Sequence, residues 1–265
     1  MSEEDLREQS GDGMTASLLP GAEPWSHDAG PVGALCLHGF TGHPGSMRPV
    51  AEAFAAAGLS VELPRLPGHG TTVEEMMLTG WPDWSAEAEA ALGRLATRCD
   101  KVVVAGLSMG GSLTAWLGTR HPELAGLVMI NAVVQPQPNE VLDMVRGMVA
   151  EGTTSIPGIG SDIAMPGVKE TGYESTPLVP LLSLMDALSL LQDELDRIMM
   201  PVLVATSPQD HVVEPSNSDH LAASVTGTVE RLSLERSYHV ATLDFDGPRI
   251  CERAVAFAKA VTADA

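Results

Sequence analysis

The chain has 265 residues, of which 44% are hydrophobic, and its formal net charge is −20 at pH 7. This length and apolar content suit one globular domain with a large core. The negative charge argues against nucleic acid or an anionic membrane as a partner, because both are polyanions. No apolar run approaches the ~20 residues of a membrane span, so we expect no stable membrane insertion.

The N-terminal segment and the cysteines indicate the setting of the protein. Residues 1–20 are acidic and polar, which predicts a solvated extension and not a signal peptide. Cys36, Cys99 and Cys251 are odd in number and lie in apolar segments, which indicates reduced thiols in a cytoplasmic protein. No His or Cys spacing resembles a zinc site and no phosphate-binding loop is present, so we expect no metal and no cofactor. A homodimer is an open alternative.

Short apolar runs alternate with helical patterns along the chain, which is typical of an α/β sheet protein. We predict a single domain over residues 21–265. The predicted elements in chain order are a strand at 32–38, a helix at 45–57, a strand at 59–63, a helix at 83–99, a strand at 101–107, a helix at 112–120, strands at 124–131, 200–206 and 228–234, and a helix at 248–261.

The segment at about 135–198 is too long for a simple crossover between two strands, and a structureless loop of that length is unusual in a compact domain. We therefore predict a small cap inserted above the sheet. Its pieces are a helix at 139–150 and a Leu-rich stretch at 178–195. The alternative is that the segment adds two ordinary surface helices.

The strand at 101–107 runs into Gly106-Leu107-Ser108-Met109-Gly110, directly before a helical segment. A strand, a sharp turn and a helix are what a nucleophile elbow requires. The serine of an elbow has a strained backbone, and its neighbours must be nearly free of side chains. We therefore interpret Ser108 as a nucleophile. The alternative is a tight turn with an incidental serine.

A serine hydroxyl needs a base, and the base needs an orienting acid, in the chain order Ser, Asp or Glu, His. Asp210 follows the strand at 200–206 and His239 follows the strand at 228–234. Both are expected at the carboxyl edge of the sheet, beside Ser108. The competing residues fit less well, because His211 lies on the wrong loop and Asp244 and Asp246 break the order.

An oxyanion hole needs two backbone N–H groups that point at the developing charge. Met109 follows the nucleophile and opens a helix, and Phe40 lies on the loop after the first strand. We interpret these two residues as the donors. His38 precedes this loop, and we interpret it as a buried histidine that braces the loop instead of a catalytic base. His43 and His69 have the same structural interpretation.

Taken together, these motifs resemble bacterial monoacylglycerol lipases and small carboxylesterases of the α/β-hydrolase superfamily. The matching segments are 37–42, 63–70, 106–111, 210–213 and 237–244. The resemblance implies an α/β-hydrolase fold, with a mostly parallel sheet flanked by helices and a small cap insertion. It also implies that Ser108, Asp210 and His239 form the catalytic triad, with Phe40 and Met109 as oxyanion donors. The acidic N-terminal extension and the cap stretch 152–160 depart from the family pattern.

The amino-acid composition of the predicted cap indicates the substrate class. Its apolar residues suit an acyl chain, and we expect Ile159 to line the acyl site. By resemblance, Glu170 is the candidate partner for a glycerol hydroxyl, although a solvated surface glutamate is an equal alternative. The sequence thus predicts a serine esterase acting on monoacylglycerols or similar small acyl esters. An acyl thioesterase with the same triad and a non-catalytic ligand-binding protein on a hydrolase fold are the alternatives.

Overall fold

A seven-stranded sheet forms the frame of the computed structural model, which describes residues 17–263. The strands in chain order are β1 (Trp25–His27), β2 (Val32–Leu37), β3 (Ser60–Leu63), β4 (Lys101–Leu107), β5 (Gly126–Ile130), β6 (Ser155–Pro157), β7 (Ser175–Pro177), β8 (Val202–Thr206) and β9 (Val229–Ser233). Their order across the sheet is β1-β3-β2-β4-β5-β8-β9, while β6 and β7 form a separate antiparallel pair. Apart from β1, which is antiparallel to β3, neighbouring strands of the main sheet run parallel.

Helices cover both faces of the main sheet. Within the described range they are α1 (Arg48–Ala56), α2 (Val73–Met76), α3 (Trp81–Ala96), α4 (Met109–Gly118), α5 (Asn139–Ala150), α6 (Leu178–Leu191), α7 (Ser216–Ser224) and α8 (Gly247–Val261), with 3-10 turns at Pro44–Ser46, Gln192–Arg197 and Ala241–Leu243. Successive strand residues point to opposite faces. Val102 and Val104 therefore pack in the cluster that contains α3 and α4 residues, and Val103 and Ala105 pack in the cluster that contains α1 and α8 residues.

The predicted α/β architecture is confirmed, with local differences. The cap helix spans Asn139–Ala150, as predicted. The predicted helix at 45–57 is divided into a 3-10 turn and α1, because Pro49 lacks an N–H group and starts a new helix. β1, β6, β7 and α2 were not predicted, since elements of three or four residues are too short to show a period. Most of the predicted N-terminal extension, residues 1–16, lies outside the described residues, while Leu19 N donates to Gly70 O at 2.9 Å.

The segment between β5 and β8 contains α5, the β6–β7 pair and α6. Helix α6 is anchored in the main core, because Leu184 and Leu188 are buried in the cluster that includes α3 and α4 residues. The backbone N–H of Trp81 also donates to Ser183 Oγ at 3.0 Å. No helix among residues 17–263 has both the length and the apolar character needed to cross a membrane.

Two helical glycines provide a matched test of the packing around β4. A Cβ on Gly110 would overlap the carbonyl oxygen of Leu37, whereas a Cβ on Gly93 in α3 would meet nothing within 4 Å. We expect Gly110→Ala to lower the free energy of unfolding by about 1–3 kcal/mol or more. Gly93→Ala should raise it by about 0.5–1 kcal/mol. Urea unfolding of both variants measures this difference. Equal effects would show that α4 does not pack tightly against β2.

Candidate active site

Ser108 lies at the junction of β4 and α4 with a strained backbone. Its φ is 81° and its ψ is −112°, a conformation that a residue with a side chain rarely adopts. The serine N–H donates to Ile130 O on the neighbouring strand at 3.1 Å. A Cβ on Gly106 would overlap the backbone of Gly110, so the turn is possible only with these glycines. The local sequence therefore forms the sharp turn that the elbow motif predicts.

The structure brings Ser108, His239 and Asp210 together in one chain of hydrogen bonds. His239 Nε2 lies 2.9 Å from Ser108 Oγ, and His239 Nδ1 lies 2.7 Å from Asp210 Oδ2. The other oxygen of Asp210 accepts from the N–H groups of Val212 and Val213, each at 2.8 Å. An ionised carboxylate only accepts, so the proton of a neutral imidazole lies on Nδ1 and Nε2 is free to accept from the serine.

The loop after β2 lies against Ser108. A Cβ on Gly39 would lie 3.3 Å from Ser108 Cβ, so this loop approaches the serine closely. Within residues 17–263, neither the N–H of Phe40 nor that of Met109 donates to a protein acceptor. Thr41 has a φ of 61° and its carbonyl accepts from Tyr173 N of the cap at 3.4 Å. The two N–H groups predicted as oxyanion donors are therefore available beside the serine.

His38 connects this loop to the segment after β3. Its Nε2 accepts from Leu66 N at 3.1 Å, so its Nδ1 carries the proton and donates to Gly39 O at 3.0 Å. Burial lowers the pKa of His38 well below its usual value. Burial also lowers the pKa of His69, to about 4. Both imidazoles are fully buried. His38 therefore has the position of a neutral brace, and both of its ring nitrogens have backbone partners.

Glu170 reaches the site from the cap. Its Oε1 would lie 2.8 Å from a Cβ on Gly42, and its own N–H donates to Ser161 Oγ at 2.8 Å. Burial raises the pKa of the Glu170 carboxyl, while the proximity of His239 and of the Ser46 hydroxyl acts in the opposite direction. The carboxyl group therefore lies beside the site and not on a solvated surface.

Ile159, the predicted acyl-site residue, lies at the surface of the cap. Its side chain is 67% exposed, because it follows the end of the short β6–β7 pair, where Gly158 N donates to Glu174 O. Met144 of α5 is also exposed, whereas Leu184 packs in the main core. The apolar cap residues are thus divided between the cap surface and the packing of α6.

The competing acids and bases have other partners. His211 is exposed, and its Nδ1 lies 2.8 Å from Asp162 Oδ1. Asp246 is buried and accepts from Arg236 N and Ser237 Oγ. Asp244 is buried and accepts from the backbone N–H groups of Ala164, Met165, Tyr238 and Phe245. Over the described part of the chain, no group of His, Cys, Asp and Glu residues is arranged to hold a metal ion.

Asn131 is a site residue that the sequence did not reveal. It follows β5 with a φ of 43°, and its Nδ2 donates to His239 O at 2.8 Å. Its Oδ1 accepts from Ser207 N at 2.8 Å, so one side chain ties the loop that carries Asp210 to the loop that carries His239. The available signal was a polar residue at the end of a buried strand, next to the strand of the serine.

This sheet order, with a serine at the tip of β4 and a histidine and an acid after later strands, defines the α/β hydrolase class. A profile of the Alpha/beta hydrolase family matches residues 34–260, and the chain belongs to this family. The chain is 46% identical to a thermostable monoacylglycerol lipase of Bacillus sp. (strain H-257) over 91% of its length and 95% of the relative. It is 27% identical to a carboxylesterase of Bacillus subtilis (strain 168) over 84% of its length and 90% of that protein.

The chain is also similar to solved structures. One from work on LipS and LipT, two metagenome-derived lipolytic enzymes, is 42% identical and has a TM-score of 0.88. It covers 92% of this chain and 100% of that chain. The monoacylglycerol lipase of Paleococcus ferrophilus has a TM-score of 0.71 over 91% of this chain and 100% of its own, and at 18% identity it shows the fold alone.

The buried histidines predict how stability depends on pH. An unfolded histidine titrates near 6.5, whereas the pKa of folded His69 is about 4. Below pH 6.5 the unfolded chain therefore binds protons that the folded chain does not, and stability falls as the pH falls towards 4. Each such group contributes at most about 1.4 kcal/mol per pH unit.

We expect His69→Asn, which removes one of these groups, to have a shallower loss of stability between pH 6 and 4.5 than the wild type. Denaturant unfolding at several pH values measures both slopes. Parallel slopes would contradict the lowered pKa of His69.

Proposed function

We propose that this protein is a serine esterase that hydrolyses monoacylglycerols, or similar small acyl esters, to a fatty acid and an alcohol. The observation that carries the proposal is the chain of hydrogen bonds from Ser108 through His239 to Asp210. It occurs in a chain that is 46% identical to a monoacylglycerol lipase over most of its length. A ligand-binding protein has no need for an aligned nucleophile, base and acid.

In the first step, Ser108 Oγ attacks the ester carbonyl carbon while His239 Nε2 takes the hydroxyl proton. The negative charge that develops on the carbonyl oxygen is stabilised by the N–H groups of Phe40 and Met109. Asp210 accepts a hydrogen bond from the Nδ1–H group of His239 and stabilises the imidazolium. The tetrahedral intermediate then collapses, His239 gives its proton to the leaving alcohol oxygen, and the acyl group stays on Ser108.

The second step repeats this sequence with water. His239 takes a proton from water, whose oxygen attacks the acyl carbon and displaces Ser108. The serine recovers its proton from His239 and the carboxylic acid leaves. Removing one oxyanion donor in such a site costs about 2.7–4 kcal/mol in the barrier, so these N–H groups contribute a large share of the rate.

Glu170 is proposed to bind a hydroxyl group of the alcohol part of the substrate. What supports this role is its position against Gly42 of the oxyanion loop and its electrostatic interaction with His239. A carboxyl that is partly removed from water gains from a hydroxyl donor, because hydrogen bonding offsets part of its desolvation. This contact would favour glycerol esters over esters of alcohols without a further hydroxyl.

We also propose that the enzyme works in the cytoplasm and needs no nucleic-acid partner. All three cysteines are free thiols, and burial raises the pKa of the Cys36 thiol, so this group is held as an unreactive thiol. The net charge of −20 disfavours contact with polyanions.

Two aspartates in the same region separate catalytic from structural roles. Asp210→Asn should lower kcat by roughly 10³–10⁴, because the amide no longer stabilises the imidazolium and favours the wrong tautomer. Asp244→Asn should instead lower the melting temperature, since it loses acceptor capacity for four backbone N–H groups. The measurement is kcat per serine titrated with a fluorophosphonate, together with thermal unfolding. A larger loss of kcat per serine in the Asp244 variant would reverse the assignment.

Glu170→Ala tests the alcohol specificity, and Glu174→Ala at an exposed neighbouring position is the control. We compare kcat/KM on a monoacylglycerol, the p-nitrophenyl ester and a thioester of the same acid. Glu170→Ala should weaken the preference for the glycerol ester by about 1–3 kcal/mol and leave the nitrophenyl ester nearly unchanged. Equal losses on all three substrates would contradict a hydroxyl contact. A wild-type preference for the thioester would contradict the proposed substrate class.

A further inference from the structure

Asp162 is a cap residue that the proposed mechanism does not use. It lies in the segment between β6 and β7, far in sequence from the serine, the acid and the base. Its side chain is 13% exposed, so most of the carboxylate is removed from water. A carboxylate in such a position needs hydrogen-bond donors to offset its desolvation, and the identity of these donors indicates its role.

The donors of Asp162 come from the two loops that carry the acid and the base. Its Oδ2 accepts from the backbone N–H of His239 at 3.0 Å and from that of His211 at 3.2 Å. Its Oδ1 lies 2.8 Å from His211 Nδ1, and its carbonyl accepts from Val240 N at 3.1 Å. His211 directly follows Asp210. One carboxylate therefore binds the base itself and the neighbour of the acid.

We propose that Asp162 is a positioning residue that fixes Asp210 and His239 relative to each other from the cap side. This inference rests on the proposed ester hydrolysis. Asn131 joins the same two loops through His239 O and Ser207 N. The acid and base loops are thus tied together by two side chains, one at the end of β5 and one in the cap.

The backbone segment that carries Asp162 is itself held by hydrogen bonds. Two and three residues further on, the N–H groups of Ala164 and Met165 donate to Asp244, at 2.7 and 2.9 Å. Asp244 also accepts from Tyr238 N at 2.9 Å, next to the base. This part of the cap is therefore bound to the loop of His239 through several hydrogen bonds. The position of His239 therefore depends on a cap segment, and this dependence requires no contact between that segment and the substrate.

The charge and the position of Asp162 have separable effects. In Asp162→Asn, an amide oxygen at the Oδ2 position still accepts from both backbone N–H groups. In Asp162→Ala, both N–H groups lose this acceptor and the two loops lose their shared contact. A displacement of about 1 Å in a catalytic group costs up to roughly 100-fold in rate. We therefore expect kcat per titrated serine to fall roughly 10–100-fold in Asp162→Ala, with KM changed less than about threefold.

Four variants complete the comparison with Asp162→Ala. Asp162→Asn should keep kcat within about fivefold of the wild type, because its acceptor is retained. His211→Ala should stay within about threefold, since the backbone N–H groups still bind Asp162. Asp186→Ala removes another carboxylate, which pairs with Arg146 of α5, and should have no effect. Asp162→Glu keeps the charge but displaces the carboxylate, so it should lower kcat about tenfold and serves if the alanine variant does not fold.

Proton NMR tests the proposed positioning role of Asp162 in the absence of substrate. The Nδ1 proton between His239 and Asp210 should give a far-downfield resonance in the wild type. This resonance should persist in Asp162→Asn and should shift or broaden in Asp162→Ala or Asp162→Glu. Wild-type kcat and an unchanged resonance in Asp162→Ala, or in Asp162→Glu if the alanine variant does not fold, would overturn the inference. If the wild type hydrolyses no ester, the proposed function fails, while the resonance still tests the position of Asp162.

Discussion

The strained backbone of Ser108 is the constraint on which the active site depends. A residue held at a φ of 81° costs on the order of 1–3 kcal/mol, which the surrounding structure has to offset. Close packing of β2, β4 and α4 does so, and it tolerates no side chain at Gly106 or Gly110. The result is a hydroxyl at the tip of a buried strand, mostly shielded from water, where His239 reaches it.

The parallel sheet then determines which other residues can meet this serine. β4, β5, β8 and β9 are neighbours, so the loops at their carboxyl ends share one edge. Asp210 and His239 come from the last two of these loops. A polar network lies behind them: Asn131 binds backbone groups of His239 and Ser207, and Asp162 binds those of His239 and His211. The segment between β6 and β7 is therefore bound to the loops that carry Asp210 and His239.

The sequence predicted those features whose signal is local. Ser108 lies in a five-residue motif between a strand and a helix, and Asp210 and His239 follow recognisable strands, so sheet topology brings them together. Asp162 could not be predicted, because its partners His211 and His239 are 49 and 77 residues away and donate from backbone N–H groups, which no side-chain pattern reveals. Ile159 lies just after β6 and is 67% exposed, so its contact with an acyl chain stays a prediction.

The most direct test of this account is covalent labelling of the native protein with a fluorophosphonate, followed by peptide mapping. An activated Ser108 displaces fluoride and keeps the phosphonyl group. We predict one label per chain, on the peptide that contains Ser108, with the loss of ester hydrolysis proportional to the labelled fraction. The unfolded protein and Ser108→Ala should not react. A label on another residue, or hydrolysis that persists in the fully labelled protein, would contradict the central claim that Ser108 is the nucleophile of an esterase.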